Sequence, residues 1–148
     1  MKPLPRILLS LALAALPLYS YAQAPAALGK CIVDHLSAQD RSDLARWVFV
    51  SMAAHPGEAQ LSNVSAASRE EASRAVGVLF TRLMADACSK EVQEAARDAA
   101  APVVPSAIQF LTQIGVQELM TSREVLGSLS AFSRFADRER IDSLSRQR

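Results

Sequence analysis

Ser65–Ala87, SAASREEASRAVGVLFTRLMADA, is the stretch that decides the fold. Its apolar residues Ala72, Ala75, Val76, Leu79, Phe80, Leu83, Met84 and Ala87 recur at three- and four-residue steps. That is the spacing of one face of an α-helix, whereas a strand alternates every second residue. Arg69, Arg74, Arg82 and Asp86 fall mostly off the apolar stripe, as they must if the stripe faces a core. Ser65 is placed to accept a hydrogen bond from a first-turn N–H, and Ser68 with Glu71 offers a capping box as the alternative start. The pattern predicts a helix running to Ala87 that forms the core of the fold.

Upstream, Leu44, Trp47, Val48, Ser51 and Met52 define the buried face of a second helix. Ser37 caps it, Asp40 adds first-turn acidic charge, and His55-Pro56-Gly57 stops it. A shorter helix from about Ala27 to Leu36 places Cys31, Ile32 and Leu36 together. Downstream, Ser89 caps a continuation to about Ala99 with Val92, Ala95, Ala96 and Ala99 inward. The Ala101–Pro105 run then breaks the pattern. Pro105 suits the first position of the next helix, which carries Ile108, Leu111, Gly115 and Leu119 on one side. Thr121 with Glu124 forms another capping box, opening a helix that presents Val125, Leu126, Leu129 and Phe132. Asp137 starts a last amphipathic segment through Ile141 and Leu144. With no run of alternating β-branched residues and only five glycines, the chain reads as all-α: a single irregular bundle of five to seven helices.

The first 22 residues read differently. Lys2 and Arg6 precede an apolar run from Ile7 to Leu18, long enough for a signal peptide and short of the roughly 20 residues a spanning helix needs. Small residues fit cleavage after Ala22, with Ala24 as the alternative. The expected organisation is a signal peptide, 1–22, and one helical domain, 23–148, periplasmic or secreted and without a membrane anchor after cleavage. A lipid on Cys31 is disfavoured because Lys30 spoils the small-residue pattern before it. The mature chain carries 14 basic and 15 acidic residues, and this near-neutral, interspersed charge offers no footprint for nucleic acid or a polybasic membrane contact. Cys31 and Cys88 both survive cleavage, and outside the cytoplasm such a pair predicts a disulfide. A redox-active pair would need sulfurs close in sequence, as in Cys-x-x-Cys.

Several constellations invite a chemical reading. Cys31, Asp34 and His35 share a helix face, so His35 could serve a Cys31 thiolate as base, but a disulfide removes the nucleophile. His35 and His55 with a carboxylate would be the parts of an acid–base enzyme. Their twenty-residue separation matches no metal-ligand spacing, and His55 suits a helix end. Glu70-Glu71 and Glu91/Glu94 sit in first turns, where carboxylates stabilise the helix dipole. Nothing implies a catalytic residue, a metal or a cofactor. Trp47 is followed by Val48, Phe49 and Val50, and one helix face cannot hide all four. Either the helix is buried nearly all round, or Trp47, Phe49 and Val50 form an interaction surface for a periplasmic protein or a small apolar ligand.

Cys31, the Asp40-Arg41 to Trp47 segment, Met52-Ala53-Ala54-His55-Pro56, Arg69 through Leu83 and Cys88 carry a resemblance. From Cys31 to about Asp142 the chain resembles a family of small exported helical proteins of proteobacteria. The resemblance implies an all-α fold and a Gram-negative periplasmic setting. It supplies no catalytic residue, because no activity is established for the family.

Overall fold

A cap with two reciprocal hydrogen bonds sets the start of the central helix. The Asp40 N–H donates to the Ser37 hydroxyl at 3.1 Å and the Ser37 N–H to the Asp40 carboxylate at 2.8 Å, so two orphan donors are satisfied at once. The computed structural model describes residues 25–57, 59–97 and 102–145. The expected signal peptide 1–22, both expected cleavage positions and Ala99 lie outside them. From the capping box runs α2 (Ala38–Met52), preceded by α1 (Ala26–Asp34). There follow α3 (Ala66–Thr81), a π-helical turn (Arg82–Ala87) and α4 (Ser89–Arg97). The chain ends in α5 (Val103–Thr121), α6 (Arg123–Ser130), a 3₁₀ turn (Ala131–Arg134) and α7 (Arg138–Ser145). Among the described residues there is no strand, and no helix is long and apolar enough to cross a membrane. The all-α bundle expected from the spacing is what forms.

The centre is α2 rather than α3. It packs most extensively on α5 and next on α3, while α1 lies over α4 and the π turn. Leu28, Ile32, Leu44, Val76, Leu79, Leu83, Cys88, Ala107, Leu111 and Ile114 make one buried cluster. Because α2 is covered on more than one side, Leu44, Ala45, Val48 and Val50 are all buried, while Ser51 and Met52 of the expected face point to solvent. Ala75 is likewise exposed.

The predicted helix to Ala87 changes pitch at Arg82. There the Cys88 N–H donates to the Leu83 carbonyl at 2.8 Å, an i→i+5 closure. Widening the turn brings residues five apart to one side, so Leu83 and Cys88 are both fully buried. Cys88 then meets Cys31 of α1 in a disulfide with Cα atoms 5.9 Å apart, inside the range such a bond requires.

Three joints differ from expectation by a residue or two. Helix α5 begins at Val103, so Pro105 is its third residue, where the missing N–H would have been an orphan anyway. Ser122 rather than Thr121 caps α6, accepting from the Val125 N–H at 3.3 Å. Ser89 is the first residue of α4 rather than its cap. At the last joint, Asp137 accepts from the Arg140 N–H at 3.0 Å as expected. The larger departure is that α6 has no buried residue. Leu126, Leu129 and Phe132 had the spacing of a core face but stand exposed, because among the described residues no element packs over them.

Candidate functional site

Where α2, α3 and α5 meet, the close packing of the core opens into a groove of about 250 Å³. Trp47 of α2 forms one wall, Val76, Gly77 and Phe80 of α3 another, and Ile108 and Leu111 of α5 the floor. Gly77 is exposed in this wall, and a Cβ built on it would meet nothing within 4 Å, so a larger side chain at this position has open space to enter. The adjacent backbone is regular, with the Thr81 hydroxyl donating to the Gly77 carbonyl at 3.0 Å. Ser73 is the lone polar residue of the lining. With no titratable side chain, the groove can hold an apolar group by burial but cannot move a proton.

The expected surface of Trp47, Phe49 and Val50 does not form as one patch. Successive helix residues are turned by about 100°, so the three point in different directions. Trp47 is partly buried and lines the groove. Phe49 is 50% exposed. Val50 is only 6% exposed, which removes it from any surface: it belongs to the second covered side of α2. Ile108 and Phe80, which spacing assigned to the core, prove to be groove residues. Gly77 had no visible role in the apolar stripe, and its significance depends on what stands opposite it.

The histidines are held apart and occupied locally. They lie at opposite ends of α2, whose fifteen residues span about 22 Å. The His35 Nδ1 donates to the Cys31 carbonyl at 2.9 Å, and the His55 Nδ1 accepts from the Gly57 N–H at 3.2 Å. Among the described residues neither ring is hydrogen-bonded to a carboxylate. Cys31, Cys88 and His35 offer ligand atoms within 4.8 Å of one another, the compactness of a metal site. With the two sulfurs bonded to each other, no thiolate is present to ligate a metal or attack a carbonyl. Glu70 pairs with Arg74 at 2.8 Å and Glu94 with Lys90 at 4.0 Å on open helix surface, so these carboxylates are solvated ion-pair partners.

Among the described residues two carboxylates, Asp40 and Glu124, have shifted affinities for protons, and neither lines the groove. Burial tends to raise Asp40, but hydrogen bonds from the Ser37 hydroxyl and N–H, with the Arg82 guanidinium at 2.9 Å, outweigh it and hold the carboxyl below its ordinary value. Glu124 is held low mainly by the Ser122 hydroxyl at 2.6 Å. Both serve helix starts, and the Asp40–Arg82 contact also ties α2 to the π turn. No protein family, curated protein or solved structure matches this chain.

Proposed function

We propose that the chain is a non-catalytic binding domain of the periplasm that takes an apolar group into the groove between α2, α3 and α5. The carrying observation is the lining itself. Trp47, Phe80, Ile108, Val76 and Leu111 converge on a space that an aromatic ring can enter, since an apolar cavity of about 150 Å³ already accommodates benzene. Aromatic and branched aliphatic ligands are the class such walls accept. The disulfide fits an oxidising compartment. The apolar run at 7–18 and the resemblance to exported proteobacterial proteins point to the same place. An enzyme built on His35 or His55 has less support, because each ring is engaged with nearby backbone and neither adjoins the groove.

Trp47 is the only tryptophan of the chain and lies in the groove wall, so its emission reports occupancy directly. Titration with N-phenyl-1-naphthylamine should quench Trp47 with saturation. Gly77→Leu, which fills the groove from a position with open space around its Cβ, should abolish the quenching while leaving the melting temperature unchanged or higher. Unchanged Trp47 emission at saturating probe, or undiminished quenching in Gly77→Leu, refutes the groove as a binding site. Periplasmic protein should have an intact mass beginning at Gln23 or Pro25, and retention of residues 1–22 would refute the location.

A further inference from the structure

We infer that the occupant of the groove is the C-terminal arm of a second copy of this chain. This inference rests on the groove being a binding site and names its partner. The arm is α6, the 3₁₀ turn and α7. Helix α6 packs on α5 and on the turn that follows it, and α7 has no comparable packing on the body. Leu126, Leu129, Phe132 and Phe135 are spaced at three-residue steps and mostly exposed, the two phenylalanines by 71% and 85%, and Ile141 and Leu144 continue the stripe on α7. Six such side chains present on the order of 600 Å² of apolar surface, at the upper end of what a monomer tolerates and close to one partner's share of a standard interface.

Charge selects the occupant. From residue 122 onward the sequence carries six arginines against four carboxylates, whereas residues 23–121 carry eight basic and eleven acidic side chains. The arm is thus net +2 and the body net −3. A second copy offers the arm a body of opposite net charge with an apolar groove in it. An anionic lipid surface would attract the arm but repel the body that must follow it. Arg134 already stands over the Phe135 ring, 5.8 Å from its centre, so a basic and an aromatic group would arrive together. Val104 and Ile108, each about half exposed on α5, extend the apolar floor beyond the groove. The chain's own arm does not fill its groove. Helix α6 starts about 20 Å along α5 from Ile108, and folding back would break the α5–α6 packing. Two reciprocal arm-in-groove contacts close the assembly as a symmetric dimer.

Sedimentation velocity of the oxidised mature protein, from low to high micromolar concentration, tests this. The wild type should shift from monomer to dimer. Phe132→Asp with Phe135→Asp spoils the arm, and Gly77→Leu fills the groove, and each should weaken association by about tenfold or more. Because all three positions are open to solvent or empty space, melting curves of both variants should match or exceed wild type. The decisive arm is complementation: a fluorescently labelled arm variant keeps its groove and the groove variant keeps its arm, so a mixture should form a heterodimer that neither forms alone. Wild type that stays monomeric, association that survives both variants, or a mixture that fails to associate each overturns the proposal. Flotation of a monomeric wild type with phosphatidylglycerol vesicles, lost in the arm variant, would overturn it too by assigning the arm to a membrane. Saturable quenching of Trp47 by naphthylamine in a protein that never dimerises would sink this inference alone, whereas absence of quenching at concentrations where the protein is monomeric sinks the binding reading beneath it.

Discussion

Adding one methyl group at Gly115 should test the helix crossing at the centre of the bundle. A Cβ at Gly115 would stand 2.7 Å from the Leu44 carbonyl oxygen and 2.8 Å from Val48 Cγ2. Ordinary carbon–carbon contact is about 3.5–4.0 Å and the closest common carbon–oxygen contact about 3.3 Å. Accommodating Gly115→Ala therefore requires α2 and α5 to part by roughly 0.5–1 Å. The Val48 methyl can rotate, but the Leu44 carbonyl belongs to the α2 hydrogen-bond ladder and cannot move without the helix. Overpacking of this kind costs about 1–3 kcal/mol, and the parting also weakens dispersion contacts along the largest helix–helix interface of the fold. Against this stands a gain of about 1 kcal/mol from replacing a mid-helix glycine by alanine. The net expectation is a loss of about 1–2 kcal/mol, read as the shift in urea midpoint at constant m-value by helical ellipticity. Gly77→Ala and Gly127→Ala are the controls, since an added Cβ meets nothing at either position. They should gain about 0.5–1 kcal/mol by the same propensity term. If Gly115→Ala is as stable as those controls, the close approach of α2 and α5 is wrong, and with it the geometry that places Trp47 beside Phe80.

Reduction, or Cys88→Ser, should destabilise the oxidised protein by about 2–4 kcal/mol, seen as a fall of roughly 10 °C in melting temperature, because the bond closes a long loop between α1 and the π turn. A negligible shift would mean that the bond does not constrain the unfolded chain. Phe49→Ala and Val50→Ala should rank against side-chain size in chemical denaturation. The half-exposed phenylalanine should cost about 1 kcal/mol and the buried valine about 2, and the reverse order would contradict the placement of α2. Asp40 has its carboxyl lowered in the folded state, so its contribution is present above the ordinary aspartate value near 3.8 and is lost as pH falls through the lower, folded value. Stability measured from pH 6 downward should therefore fall less steeply in Asp40→Asn, which is already weakened at pH 6, than in wild type, and parallel curves would exclude the carboxylate from that role.

Helix content, the main caps and the disulfide pairing were legible because each depends on local chemistry or on arithmetic. The three- and four-residue steps of Val76, Leu79 and Leu83 suit only a helix, and Ser37 with Asp40 and Asp137 with its own first turn are local hydrogen-bonding units. A chain with two cysteines has only one intramolecular pairing to make. What lies on the outside of a helix is a different question, since spacing states that residues share a face and not what covers it. Leu83, Phe80 and Phe132 all sit in similar stripes, yet tertiary packing buries the first completely, half-buries the second at the groove and leaves the third on an unpartnered arm. Trp47-Val48-Phe49-Val50 posed a burial problem that no local rule could resolve, and it was resolved only when α3 and α5 closed on two sides of α2 and left Phe49 out. Gly77 and Gly115 are the sharpest case. Both are mid-helix glycines with the same chemistry, one lining a groove and the other permitting a crossing, and the difference between them lies in whether another helix backbone stands 2.7 Å from where a Cβ would be.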